Sequence, residues 1–290
     1  MAEKHGREGA GLGPGLYLVA TPIGSAGDIT LRALEVLGMA GIIAAEDTRR
    51  TRQLLAMHGI ALGGRRLMSY NDRNGPERRP VILGRLAEGA SVALVSDAGT
   101  PLLADPGYRL VQEAIAAGHK VVAVPGASAL LAALSVAGLP TDRFLFAGFP
   151  PARQAARERF LREMMGYPFT IVMYESPRRV RNTLQSMAEI FGEERPAALC
   201  RELTKRFEET RRGTLGALAA AVAAEREQRG EIVILVGPAG PPAPPGEAIE
   251  AALRQALRNM SLKDAVRTVA EATGAPRREV YARALRLARA

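Results

Sequence analysis

At 290 residues, 47% of them apolar, the chain is long enough for one large or two medium domains with real cores, and disorder as its dominant state is excluded. One cysteine, Cys200, excludes an internal disulfide framework, and His5, His58 and His119 lack ligand spacing, so no metal is implied and a reducing cytoplasm fits. Thirty-nine Lys and Arg against 30 Asp and Glu give +9, mostly arginine, which a polyanionic partner and a merely arginine-rich composition explain equally well.

Residues 1–14 mix Glu, Lys, His, Arg and Gly, lack the apolar core of a secretory signal, and read as a disordered lead-in. Strands are predicted at 16–21, 41–46, 66–70, 91–96 and 120–124, with helices at 30–39, 48–57, 76–88 and 106–117 between them. That alternation predicts a parallel sheet with helices on both faces. A small-residue helix over 128–137 is stopped by Gly138-Leu-Pro140. The longest apolar run, 127–139, is interrupted by Ser128, Ser135 and Gly138 and is too short for a membrane span of about 20 residues.

Past residue 140 the rhythm changes, with strands at 143–149, 169–175, 197–204, 207–213 and 231–237 and helices at 153–165, 177–191 and 215–228. The strands flanking Lys205-Arg206 read as a hairpin, which makes the second sheet mixed. The expected organisation is an N-terminal α/β domain at 15–140, a second α/β domain at 141–238, a proline-rich linker at 239–247 and a helical module at 248–290. In that module helices at 261–273 and 276–289, joined by Gly274-Ala275, form a helix-turn-helix unit.

Three apolar strands of the first domain run into tight small-residue turns: Pro22-Ile-Gly24, Ser96-Asp97-Ala-Gly-Thr-Pro101 and Pro125-Gly-Ala-Ser128. In a parallel sheet such ends share one edge, and ligands bind in the crevice outside the carboxyl ends of the strands. The first turn is neither a G-x-G-x-x-G fingerprint nor a P-loop, which removes support for NAD and nucleoside-triphosphate chemistry. Asp97 either binds a ligand hydroxyl or amine or caps its own turn. Glu46 and Asp47 point to opposite faces of a strand, so one of them is read as a helix cap, with a salt bridge to Arg49 or Arg50 as the alternative. The exit Ser69-Tyr-Asn-Asp-Arg-Asn74 suits a base or sugar, or is a plain solvated loop. Arg178, Arg179, Lys205 and Arg206 suit phosphate, with Tyr174 stacking on a base, or they form a charged rim of internal ion pairs. The same two readings apply to Arg277 and Arg278 on the last helix.

The runs TPIG, AAEDTR, SDAGTP, ADPGY, VPGASA, YESPRR, RELTK and GEIVILV, in that order, resemble the tetrapyrrole-methylase superfamily of class III methyltransferases. Within it the match is to the 16S ribosomal RNA cytidine 2'-O-methyltransferases, and it covers about residues 15–290. The resemblance implies an α/β fold of two domains with S-adenosylmethionine in the cleft between them, a homodimer, and 16S rRNA of the small ribosomal subunit as substrate. Carried over by position, the cofactor contacts are Pro22, Ile23, Gly24, Asp97, Ala98, Gly99, Thr100, Gly126, Ala127, Ser128, Tyr174, Cys200 and Arg201. Where relatives often carry histidines after Ser-Tyr, this chain has Asn71-Asp72-Arg73-Asn74, so no histidine base is assigned. The groups available to take a hydroxyl proton are Asp97, Glu46, Glu175, Glu202 and Lys205, with Asp97 ahead because its loop borders the cofactor. Two alternatives stay open: a tetrapyrrole methyltransferase, and a non-catalytic RNA-binding assembly factor.

Overall fold

The structure is a computed structural model that describes residues 11–225, 229–239 and 245–288. Residues 1–10 of the expected lead-in, 240–244 of the expected linker, 226–228 of the helix expected at 215–228, and Arg289 lie outside the described residues. The chain divides after Pro238 into two compact units.

The first sheet is built from β1 (Gly15–Val19), β2 (Ile42–Ala45), β3 (Arg66–Ser69), β4 (Ser91–Val95) and β5 (Val121–Val124), all parallel, in the order β3-β2-β4-β1-β5. Side chains alternate across it. Tyr17, Val19, Ile43, Ala45, Ala93 and Val95 meet α1 (Leu31–Met39) and α2 (Thr48–Met57) on one face. Leu16, Ile42, Ala44, Val92 and Leu94 meet α3 (Gly75–Ala87) and α4 (Tyr108–Ala116) on the other. Near-continuous apolar strands are what a sheet covered on both faces requires.

The second sheet has the order β6-β7-β10-β8-β9, from β6 (Phe144–Phe146), β7 (Thr170–Glu175), β8 (Pro196–Arg201), β9 (Glu209–Thr214) and β10 (Ile232–Val236). Only β6 and β7 pair in parallel, so the sheet is mixed as the hairpin predicts. One face is covered by α6 (Gln154–Met164), α7 (Val180–Phe191) and α8 (Leu215–Ala224). The other face, through Val172, Ala198, Cys200, Val233 and Leu235, packs on Leu130, Ala133, Leu134 and Ala137 at α5 (Ala129–Val136). This one small-residue helix starts at a strand end of the first sheet and forms the floor of the second, which welds the two sheets together.

The second unit holds three helices, α9 (Pro245–Ala256), α10 (Leu262–Thr273) and α11 (Arg277–Leu287), around Ile249, Leu253, Val266, Val269, Val280 and Ala284. The sequence reading found two and ran the linker to 247. Helix α9 begins inside the proline run because proline is tolerated in the first turn, where its missing N–H has no intrahelical partner to lose. The hairpin differs too: strands expected to end at 204 and resume at 207 are separated by residues 202–208, with Glu202 and Thr204 at φ 51° and 64°. Among the described residues no helix is long and apolar enough to cross a membrane.

Candidate functional site

Because β5, β1 and β4 are neighbours, their carboxyl-end loops converge. Thr21 and Gly99 pair backbone to backbone, each N–H donating to the other's carbonyl at 2.9 Å. The Thr21 hydroxyl donates to the Ser96 carbonyl (3.3 Å), and the Thr100 hydroxyl to that of Ala127 (3.1 Å). Gly126 permits a close pass, since a Cβ there would lie 2.9 Å from the Ala20 Cβ. The three predicted loops therefore form one fixed rim.

Helix α5 starts from that rim, and its first turn is capped from across the cleft: the Tyr174 hydroxyl accepts the Leu130 N–H at 3.1 Å. Burial pushes the Tyr174 phenol up, so it stays protonated. Phe146 and Phe149 stand edge-on to its ring at 4.8 and 5.6 Å. Ser128, in the N-cap position, makes no capping bond, and its hydroxyl is buried with no partner among the described residues. A polar atom left unpaired inside a protein is costly unless a ligand or water meets it. On the opposite side, Gly24 abuts the 202–208 loop, where a Cβ would meet Thr204 Oγ1 at 2.7 Å, and the Ser25 N–H donates to that oxygen at 3.1 Å.

Asp97 ties two strand exits together. Its Oδ1 accepts the Asp47 N–H at 3.0 Å and its Oδ2 lies 3.4 Å from Arg50 Nε. Asp47 caps α2 through the Arg49 N–H (2.8 Å) and also pairs with the Arg49 guanidinium, whose hydrogen bonds hold its carboxyl down to about 2. Glu46 accepts the Asp97 N–H at 3.3 Å, and burial pushes its carboxyl up. A fourth carboxylate, Asp105, was missed in the sequence. Burial, then the nearby charges of Glu46 and Asp97, push it up to about 6, against a hydrogen bond with Ser96 that favours its charge. The signal was there in ADPGY, which repeats the acid-then-glycine turn of SDAGTP further along the same loop.

Several candidates have other duties. Glu175 is 1% exposed at its side chain and is bonded by the Ser176 N–H (2.7 Å), Arg179 (2.6 Å) and the Thr183 hydroxyl (2.6 Å), so it anchors the start of α7. Its partner Arg179 is committed with it, whereas Arg178 is exposed. Lys205 bonds Glu202 (2.7 Å) and Glu231 (3.1 Å). Burial opposes the lysine charge but these bonds outweigh it and hold the ammonium above its usual range, so Lys205 is no neutral base. Glu202 is likewise held below the usual range: burial works against its charge, and Lys205 and the Glu231 N–H overcome it. Cys200 lies in the core beneath α5, where burial pushes its thiol up. The Arg201 side chain turns to Glu209 at 2.6 Å. Among the described residues no group of three or more His, Cys, Asp or Glu side chains could hold a metal ion.

A parallel sheet and a mixed sheet joined through one helix, with three knitted strand exits between them, define the tetrapyrrole-methylase class of fold. The family model described as Tetrapyrrole (Corrin/Porphyrin) Methylases matches residues 15–219, and that of the RsmI C-terminal HTH domain matches residues 243–288. The uroporphyrin-III C-methyltransferase of Thermus thermophilus, solved in complex with S-adenyl homocysteine, has the same fold (TM-score 0.52, 20% identity, 76% of this chain and 96% of that one). Far nearer in sequence is the ribosomal RNA small subunit methyltransferase I of Xylella fastidiosa, 48% identical over 268 residues, covering 92% of this chain and 97% of that one. The protein of the same name from Mesorhizobium japonicum is 55% identical over 207 residues (71% and 69%). The chain belongs to the ribosomal RNA small subunit methyltransferase I family.

Proposed function

We propose that the protein transfers a methyl group from S-adenosylmethionine to the ribose 2'-hydroxyl of a cytidine in the decoding region of 16S rRNA, within the assembled small ribosomal subunit. The observation that carries this reading is the rim of three knitted strand exits, one of which carries the buried Ser128 hydroxyl, without a partner among the described residues. The residues present fit the cofactor: Ser128 and the backbone of the rim suit its polar groups, and the carboxylates at the β2 and β4 exits favour a cation. When bound, S-adenosylmethionine supplies an electrophilic methyl group on a positively charged sulfur. The fixed rim sets the cofactor's position relative to the acceptor, and such alignment of two reactants is worth about 7–11 kcal/mol in favourable cases. Tyr174, with Phe146 and Phe149 around it, keeps water from one side of the cleft.

RNA as acceptor is supported by the relatives at 48% and 55% identity, whose name specifies ribosomal RNA of the small subunit. Cytidine and the 2'-oxygen follow from the motif resemblance. Exposed arginines at 178 and 206, in the loops after β7 and β8, supply phosphate contacts. The likeness to tetrapyrrole-acting enzymes is one of fold alone at 20% identity. The test is incubation with labelled S-adenosylmethionine and undermethylated small subunits, followed by mapping of the label. One cytidine ribose carrying the methyl group is the expected result; label on free porphyrinoid and none on RNA rejects the reading.

A further inference from the structure

A second hollow lies beside the cofactor rim, and nothing in cofactor binding accounts for it. It encloses about 400 Å³ between two strand exits, with Tyr70, Asn71 and Asp72 from the loop after β3, Asp105 from the loop after β4, and Tyr108 and Arg109 from the first turn of α4. That volume lies within the range of small-ligand sites. Tyr108 is 64% exposed, and Arg109 beside it is exposed as well. An aromatic face, a guanidinium and a carboxylate around one hollow are what a single splayed-out nucleotide needs: a surface to stack on, a phosphate contact and a group for the sugar.

Asp105 is the unspent carboxylate of this edge. Asp97 is held by the Asp47 N–H and Arg50, and Glu46 by the Asp97 N–H. Asp105 has no basic side chain within ion-pair distance among the described residues; the groups that face it are Ser96 and Asp97 from the β4 exit, Glu46 from the β2 exit and, across the cleft, Tyr174 from β7. The chain leading to it is strained, with Leu102 and Ala104 at φ 74° and 65°. Strain of this kind in residues with side chains collects at functional sites.

We propose that this hollow receives the acceptor nucleotide, with Tyr108 against the base, Arg109 at a phosphate and Asp105 as the group that takes the ribose hydroxyl proton. This rests on the methyl-transfer reading above. The ribose oxygen forms its bond to the methyl carbon as the carbon–sulfur bond breaks, the bonding pair staying on the now neutral sulfur. The Asp105 carboxylate takes the hydroxyl proton and releases it to water.

The test uses the full-length protein. Asp105→Asn is expected to lower the single-turnover rate by about 100-fold or more, with Asp105→Glu recovering part of it. S-adenosylhomocysteine affinity by calorimetry stays within about threefold, since that ligand is held by the rim rather than by this hollow. The wild-type rate climbs as pH rises through about 6, and the Asn variant loses that step. A carboxyl whose proton is held more tightly in the folded state makes the fold less stable as pH rises from its ordinary range near 4 to about 6, so Asp105→Asn raises Tm most at about pH 8, less at about pH 5, and leaves it unchanged at about pH 3. An unchanged rate in Asp105→Asn, or a lowered Tm with parallel loss of S-adenosylhomocysteine binding, overturns the assignment. Independently of methyl transfer, cytidine 5'-monophosphate is titrated against the protein and followed by saturation-transfer NMR. Contact that disappears in Tyr108→Ala supports the hollow, and no contact in the wild type overturns it. Nucleotide contact in a wild-type protein that leaves small subunits unlabelled overturns the methyl-transfer reading, and Asp105's role with it, while the hollow stands.

Discussion

Asp97 and Ser128 sit on the same rim with opposite hydrogen-bond states, and so make different predictions. Asp97 is fully used: it joins the β4 exit to the β2 exit through the Asp47 N–H and Arg50. Asp97→Ala is expected to cut methyl transfer far more than small-subunit binding, whereas Asp97→Asn, whose amide oxygen still accepts the Asp47 N–H, keeps most of the rate. Wild-type single-turnover rates in Asp97→Ala would remove Asp97 from the mechanism. Ser128 gives its hydroxyl nothing to bond within the described fold. Ser128→Ala should therefore leave Tm unchanged or slightly raised and weaken S-adenosylmethionine binding by about 2- to 13-fold, the loss of one net hydrogen bond. Calorimetry and a melting curve on the same preparation decide it; a lowered Tm with unaltered affinity means the hydroxyl serves the fold.

The 202–208 loop carries the prediction at the scale of an element. Its base is pinned by Lys205 between Glu202 and Glu231 and by the Ser25 N–H on Thr204, while its tip shows Phe207, 72% exposed with the Arg206 guanidinium 5.5 Å from its ring. A bare aromatic beside a cation on a pinned loop suits an unpaired base. Phe207→Ala is expected to weaken small-subunit binding by about 5- to 150-fold, the worth of one stacked base, with no change in S-adenosylmethionine affinity or Tm. Filter binding with intact subunits checks it, and an undiminished affinity discards the stacking role. The same loop shows what the sequence could convey. Alternating apolar runs gave the ten strands and the mixed character of the second sheet, because burial of a sheet face writes itself into period and composition. The extent of the hairpin loop was not legible, since Glu202 and Thr204 adopt positive φ without being glycine, held there by long-range bonds. Asp105 escaped for a related reason: its carboxyl is raised first by burial and then by Glu46, which is distant in the chain and comes beside it only once the strands are ordered β2-β4. Asp97, Gly126 and Ser128 were legible because a carboxylate, a glycine or a serine in a tight turn directly after an apolar strand has its place set by local sequence.

At the scale of the molecule, the chain divides after Pro238 into two compact units. Every residue of the rim and of the neighbouring hollow lies before it. The unit beyond it has its own core, nine basic against five acidic residues, and a shallow surface of Lys263, Arg277, Arg278 and Tyr281 around Val266. Helix-turn-helix architecture with such a face is suited to a nucleic-acid backbone. Removal of residues 239–290 is therefore expected to leave S-adenosylmethionine affinity unchanged and to weaken small-subunit binding. The weakening has a signature that lost folding would not reproduce: each phosphate contact removed lowers the slope of log affinity against log salt by about 0.7–0.9, so loss of Arg277, Arg278 and Lys263 lowers it by about 2 to 3. The difference between full-length and shortened protein should then be largest in dilute salt and shrink as salt is added. Arg277→Ala with Arg278→Ala in the full chain should reproduce about two-thirds of the slope change, because the two residues are two of the three cations on that surface. Parallel salt plots for the full-length and shortened proteins would show that the basic face of the second unit turns away from the RNA and that its charge serves something other than anchoring.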